Sequence, residues 1–352
     1  MPANFFAKFS DFNLGVDLGS SFVKIFAQGK GVLFFEPTAI ARQKKKGGQI
    51  VAVGKRAQVI IGKEPIRIEV VEPVEHGVIA DFDATLDLVK YLFSLVRQTP
   101  GKWLRLFGPQ VIAGVSCQAT EVERRAVKAV MLKSGAQEVF LIEKPMASAV
   151  GLELPIDSSA GSLLLDIGGG TTEMAIICLG GIVLHRFLPI GGKQFDESII
   201  SFLRLKYGVL IGRATAENAK KQLGSVSSRA LTPRAQVVIR GRDLGSGLPK
   251  SIRIKKGEIM EALLPNAQKI TLALKEILEE TPAELVDDIL KKGIYLTGGS
   301  AQLPGWETLI AEETKMSVVL AQKPQETVVR GCGSLLKDKK LLNRVKLVAG
   351  LR

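Results

Sequence analysis

The chain repeats one pattern. Val16-Asp17-Leu18-Gly19-Ser20-Ser21 recurs about 150 residues later as Leu165-Asp166-Ile167-Gly168-Gly169-Gly170-Thr171-Thr172, each time as an apolar strand ended by a carboxylate and small residues. A second apolar strand then resumes (22–27; 174–179), a Gly-containing turn follows (29–31; 180–181), and a third strand comes next (32–35; 182–187). A lone strand followed by a Gly turn is common. A duplicated one restricts the fold to two similar α/β domains.

The intervals carry helical signals. Residues 84–97 place Leu88, Leu92 and Leu95, with Val89, Phe93 and Val96 beside them, on one helical stripe. Thr120-Glu121-Val122-Glu123 is a capping box, and its helix runs through Val127 and Met131 to a stop at Gly135. Segments 196–207, 216–223 and 257–280 also read as helices, the last bent or broken at Pro265.

Small residues after a strand-end carboxylate let backbone N–H groups and hydroxyls approach an anion. Two such turns facing each other would clamp a phosphate chain, with Asp17 and Asp166 holding a hydrated Mg²⁺, an ion that keeps its waters. A third Gly-rich turn, Thr297-Gly298-Gly299-Ser300, would admit a flat ring or ribose closely. Glu217 and Lys220, three apart on one helix face, are either ribose and adenine contacts or a solvated surface pair.

Composition removes other chemistries. Three scattered cysteines (Cys117, Cys178, Cys332) support neither a disulfide framework nor a paired zinc site, and fit a reducing cytosol. Two histidines, His76 and His185, exclude a His-rich metal centre and leave a Ser-His-Asp triad little to rest on. The net charge of +13 favours anionic partners, yet no basic run resembles a nucleic-acid arm. Lys44-Lys45-Lys46-Gly47-Gly48 reads as a solvated turn or a lipid or filament contact, and 337–352 alternates basic and apolar residues.

No stretch has the form of a secretory signal or the ~18 apolar residues of a spanning helix. Two segments are suited to lying on a bilayer instead. Phe5, Phe6, Phe9 and Phe12 share one helical face, the alternative being a frayed or internally packed tail. Trp103, Leu104, Leu106 and Phe107, interleaved with Lys102 and Arg105 between Gly and Pro, form either a lipid-inserting loop or a buried turn into the strand 111–116.

Taken together, GVIADFDAT (77–85), TEVERRAV (120–127), LLLDIGGGTTEMAIICLGGIV (163–183), GGKQFDESII (191–200), the RGRDL to GLPK segment (240–250) and LTGGSAQLPG (296–305) resemble the MreB family of bacterial actin homologues. That family lies within the actin, heat-shock chaperone and sugar-kinase superfamily. TEVERRAV and the GRDL segment are not shared by the chaperones or kinases. The resemblance implies an actin-like ATPase fold of two duplicated RNase H-like domains, each with an inserted subdomain. Its lobes would be 1–150 (insertion about 32–72) and 151–340 (insertion about 192–252), followed by a tail 341–352.

It further implies binding of ATP with Mg²⁺ through Asp17, Gly19, Ser20, Ser21, Gly168, Gly169, Gly170, Thr171, Thr172, Gly192, Glu217, Lys220, Gly298, Gly299 and Ser300. Head-to-tail paired protofilaments at the inner face of the plasma membrane, anionic lipid, and membrane proteins of the elongation machinery as partners in wall synthesis and rod shape are implied likewise. Both candidate membrane segments coincide with positions where the family inserts into lipid. A non-polymerising nucleotide-bound scaffold, a chaperone-type ATPase switch and a metabolic kinase are the rival readings.

One departure bears on mechanism. The family carries a glutamate immediately before a proline, where it positions the water attacking the γ-phosphate with a hydroxyl matching Thr171; this chain reads Glu143-Lys144-Pro145. An ammonium has no acceptor for that water. Hydrolysis is therefore expected to be slow or absent unless Glu143 substitutes as base.

Overall fold

The computed structural model describes residues 13–45, 48–98, 108–230 and 235–347. The chain divides into two compact units: one takes in residues up to Ser159, Ile177–Val183 and everything from Gln325 on, the other Ala160–Ile176 and Leu184–Pro324.

The first unit is built on strands β1 (Leu14–Leu18), β2 (Phe22–Ala27) and β3 (Gly31–Pro37). A small sheet of β4 (Ile40–Gln43), β5 (Ile50–Val53) and β6 (Ile68–Val71) follows, in the order β5-β4-β6, then the hairpin β7 (Val74–Glu75) and β8 (Val78–Ile79). Strands β9 (Gln110–Val115) and β10 (Glu138–Glu143) complete a five-stranded sheet ordered β10-β9-β1-β2-β3. β1 runs antiparallel to β2 and parallel to β9.

The second unit repeats the plan. Its strands β11 (Ser162–Ile167), β12 (Thr172–Cys178) and β13 (Gly181–Leu188) come first, except that Ile177–Val183 at the β12/β13 turn fall in the first unit, then the small sheet of β14 (Val209–Leu210), β15 (Gln236–Asp243) and β16 (Pro249–Lys255). With β17 (Ile294–Thr297) and β18 (Val318–Leu320) the main sheet is ordered β13-β12-β11-β17-β18. In both sheets the first strand lies between its own meander and two later parallel strands. The duplication seen in the residues is thus a duplication of topology.

β1 and β11 are buried almost throughout, as strands covered on both faces must be. Helix Phe82–Gln98 turns Leu88, Val89, Leu92, Phe93 and Val96 into the first core, while Leu95 is half-buried at the stripe's edge. The capping box at Thr120 forms: its hydroxyl accepts from the Glu123 amide at 3.3 Å and its own amide donates to the Glu123 carboxylate at 2.7 Å. Gly135 follows this helix at φ +100°, a conformation a side chain would strain.

Helix Lys256–Glu279 runs through Pro265 without a break, so of the two expected effects of the proline a broken helix is excluded; the proline is exposed, while Ile259, Leu263, Ile270, Leu274 and Ile277 are buried on either side of it. The chain returns to the first unit at Gln325. Helix Thr327–Leu335 packs on helix Lys144–Gly151 and on β1.

Candidate functional site

The two carboxylate turns share one geometry. Gly19, two residues past Asp17, donates its N–H to the Phe22 carbonyl at 3.1 Å; Gly168, two past Asp166, donates to Thr171 at 2.8 Å. A Cβ on Gly19 would lie 2.8 Å from the Phe22 oxygen, so that turn depends on glycine, and one on Gly168 would lie a tight 3.0 Å from the Thr171 oxygen.

In the first unit, Thr38 donates its hydroxyl to the Gly19 carbonyl at 2.7 Å and its amide to the Ser21 carbonyl at 2.9 Å. The Ser20 hydroxyl accepts the Gly77 amide at 2.9 Å, from the turn between β7 and β8. The turn is fixed from behind before any ligand arrives.

Asp17 is buried, and Lys24 stands directly opposite it across the β1/β2 ladder, with Nζ 2.7 Å from Oδ2. Lys144, the first residue of helix Lys144–Gly151, brings its Nζ to 3.4 Å from Oδ1 and donates to the Leu18 carbonyl at 3.3 Å. Both lysine side chains are only 13% exposed. Burial pushes the Asp17 carboxyl up, but the Lys24 and Lys144 charges outweigh it and hold the group below the usual carboxylate range. Cys332 beside it is fully buried, and burial together with the Asp17 charge raises its thiol far out of the reactive range.

The surroundings of Asp17 suit the expected Mg²⁺ poorly. One carboxylate between two ammoniums leaves a net positive charge where a dication would have to approach. Its Oδ2 is already held by Lys24, and Lys144 is the cation nearest Oδ1. Asp166 faces a different set: Thr297, opposite it across the β11/β17 ladder, donates its hydroxyl to Oδ2 at 2.8 Å.

In the second unit the structure brings together the residues expected from three separate motifs. Gly192 and Lys193 donate their amides to the Gly168 and Gly169 carbonyls at 3.0 and 2.7 Å, so the start of helix Gly192–Tyr207 holds the turn in place. Ser300 donates to the Gly168 carbonyl at 2.8 Å. Gly298, at φ +92°, would place a Cβ 2.3 Å from the Ile167 oxygen, a contact only glycine allows. A Cβ on Gly299 would meet nothing within 4 Å, leaving open space at that turn.

Three of the residues expected at the ligand make contacts within the unit. The Lys220 ammonium is buried against the Gly192 carbonyl (2.6 Å) and Asp196 (2.7 Å), so it braces the helix start. Glu217 pairs with Lys221 at 2.7 Å, one helical turn on. The Thr172 side chain is fully buried, and its hydroxyl donates to the Ile190 carbonyl at 2.8 Å. Thr171 remains half-buried at the turn. Phe5, Phe6, Phe9, Trp103, Leu104, Leu106 and Phe107 lie outside the described residues.

Asp196 was not foreseen as a functional neighbour, and it carries a prediction. Burial lifts its carboxyl to about 6 despite the Lys220 charge. Between about pH 4 and 6 the folded chain then holds a proton that the unfolded chain has released, so this stabilising contribution is greatest at the acid end and is lost as pH rises through 6. Denaturant unfolding of wild type against Asp196→Asn should therefore show the difference moving against wild type by ~1–3 kcal/mol from pH 4 to 7. A flat difference across that range would contradict the assignment.

The profile of the MreB/Mbl protein family matches residues 11–344. The chain belongs to the MreB/Mbl family. It is 39% identical to the cell shape-determining protein MreB of Escherichia coli (strain K12) over 328 residues, 92% of this chain and 93% of that one. Among solved structures it is similar to MreB5 of Spiroplasma citri bound to ADP, with a TM-score of 0.88, 33% identity, and 96% and 99% of the two chains covered. The same MreB5 bound to AMPPNP gives 0.87 at 35% identity, covering 93% and 96%. The sequence-level resemblance to this family and its actin-like fold are thereby established.

Proposed function

We propose that this MreB/Mbl member binds ATP through the Asp17 and Asp166 turns and the Gly298–Ser300 turn, and assembles into membrane-associated filaments that organise wall synthesis and rod shape. The observation that carries the reading is the pair of like-built glycine turns on duplicated sheets, in a family whose MreB5 member has been solved with ADP and with AMPPNP. A strand-end turn of this kind presents backbone N–H groups to phosphate oxygens. ATP would then act chiefly as a conformational ligand that sets subunit contacts, because the position expected to hold a catalytic base carries Lys144.

The polymer is read as a homopolymer of paired protofilaments at the cytoplasmic face of the plasma membrane, in contact with membrane proteins of the elongation machinery. Trp103, Leu104, Leu106 and Phe107, with Lys102 and Arg105 between them, supply apolar insertion and attraction to anionic headgroups; Phe5, Phe6 and Phe9 supply a second apolar face. No helix among the described residues is long and apolar enough to cross a membrane.

Gly299→Leu tests the nucleotide reading cleanly. Its Cβ has open space, so the variant should fold and unfold as wild type does, while the added side chain occupies the approach to the turn. Binding of a fluorescent ATP analogue should weaken about tenfold or more, a loss of ~1.4 kcal/mol or more. ATP-dependent pelleting should fall with it. Equal binding by the two proteins would remove the 298–300 turn from the site.

A further inference from the structure

The cluster Lys24–Asp17–Lys144 answers a question that the family's chemistry leaves open for this chain: what neutralises the phosphates at the first turn. An aspartate that holds a hydrated dication needs lone pairs facing the ion and a negative local field. Asp17 offers neither freely. Lys24 is hydrogen-bonded to Oδ2 at 2.7 Å, and Lys144 lies 3.4 Å from Oδ1, an oxygen that is enclosed and makes no well-aligned hydrogen bond. A dication entering here meets a site already one charge positive; a polyphosphate entering here meets two ammoniums for one carboxylate.

The placement of Lys144 points the same way. A cation in the first turn of a helix opposes the macrodipole, and the cost is offset here by the Asp17 carboxylate and the Leu18 carbonyl. An anion arriving at the adjacent turn would be favoured both by that helix end and by the ammonium at it. Lys24 is held from the other side, with Phe35 beneath its ammonium at 5.5 Å, so neither charge has to be recruited from solvent.

We infer that Lys24 and Lys144 supply the positive charge that Asp17-held Mg²⁺ would otherwise bring, so that this chain takes up nucleotide triphosphate without needing a divalent cation. The inference rests on the reading of these turns as phosphate-binding. It assigns the two lysines a binding role that the motif comparison alone does not.

The test is calorimetric titration of the full chain with AMPPNP in excess Mg²⁺ and in EDTA, for wild type, Lys144→Gln and Lys24→Gln, with thermal melts by circular dichroism to check folding. Wild-type affinity should differ less than about threefold between the two conditions, while Lys144→Gln should lose about tenfold or more in EDTA and recover with Mg²⁺. If Lys144→Gln does not fold, Lys24→Gln makes the same comparison. A wild-type loss of about tenfold or more in EDTA would overturn the inference and leave nucleotide binding intact. Metal-indifferent binding by the variants as well would show that the lysines do not carry it. Absence of AMPPNP binding in both conditions would overturn the reading of the turns and the inference with it.

Discussion

Lys144→Glu is expected to release phosphate from ATP about tenfold or more faster than the wild-type chain, whose own turnover should be slow. The wild-type residue cannot accept a proton from water while it is an ammonium, and it does not swing away to leave room for one. It is turned inward to Asp17 and Leu18 and only 13% exposed. Glu143 is a poor substitute. It ends β10 opposite Val115, and of the two neighbours it is Lys144, at the helix start, that reaches Asp17.

The substitution changes two things together. It places an acceptor at the start of helix Lys144–Gly151, where the dipole favours an anion, and it leaves Asp17 with Lys24 as its one remaining charged contact of the two. The variant should therefore also become Mg²⁺-dependent, which calorimetry reads independently of turnover. Phosphate release should be measured at a concentration where pelleting shows the polymer, for both proteins. Equal rates would remove position 144 from the chemistry and transfer the base to Glu143 or to a water placed by Thr171.

What the residues disclosed, and what they hid, follows from the range of the interactions. The duplicated strand-turn-strand pattern, the Thr120 capping box and the 82–98 stripe are local, and each is written in periodicity or in a few adjacent residues. The role of Lys24 was hidden because it depends on hairpin register. Only once β1 and β2 are paired does residue 24 fall opposite 17, although the alternation Phe22, Lys24, Phe26 along β2 was a usable signal. Asp196 and Lys220 are 24 positions apart on different helices, and nothing in their spacing announces a buried pair. The same holds for Thr172, whose hydroxyl is committed to a carbonyl 18 residues on. Residues that bind and residues that brace are the same types in the same motifs, so tertiary contact alone separates them.

Gly331→Ala should be among the most destabilising single-methyl additions in the chain, by about 3 kcal/mol or more. Helix Thr327–Leu335 is seated on the first unit glycine by glycine. A Cβ on Gly331 would lie 1.7 Å from the Ala147 oxygen, one on Gly151 2.1 Å from the Thr327 oxygen, and one on Gly333 2.4 Å from the Phe26 ring. These are backbone and packed-ring contacts that cannot be relieved by rotating a flexible side chain. In an exposed helix the same change would gain up to ~1 kcal/mol, and Gly257→Ala, at a position with open space around it, is the matching control. Urea unfolding of the two variants should move their midpoints apart, Gly331→Ala falling well below wild type and Gly257→Ala staying within ~1 kcal/mol of it. The consequence reaches the nucleotide turn, because the helix being pushed is the one that begins at Lys144. Separating Lys144 from Asp17 should give the folded fraction of Gly331→Ala a Mg²⁺ requirement for AMPPNP like that of Lys144→Gln. A variant as stable as wild type would show that the two helices are not packed this closely, and that the ammonium at 144 is not held by them.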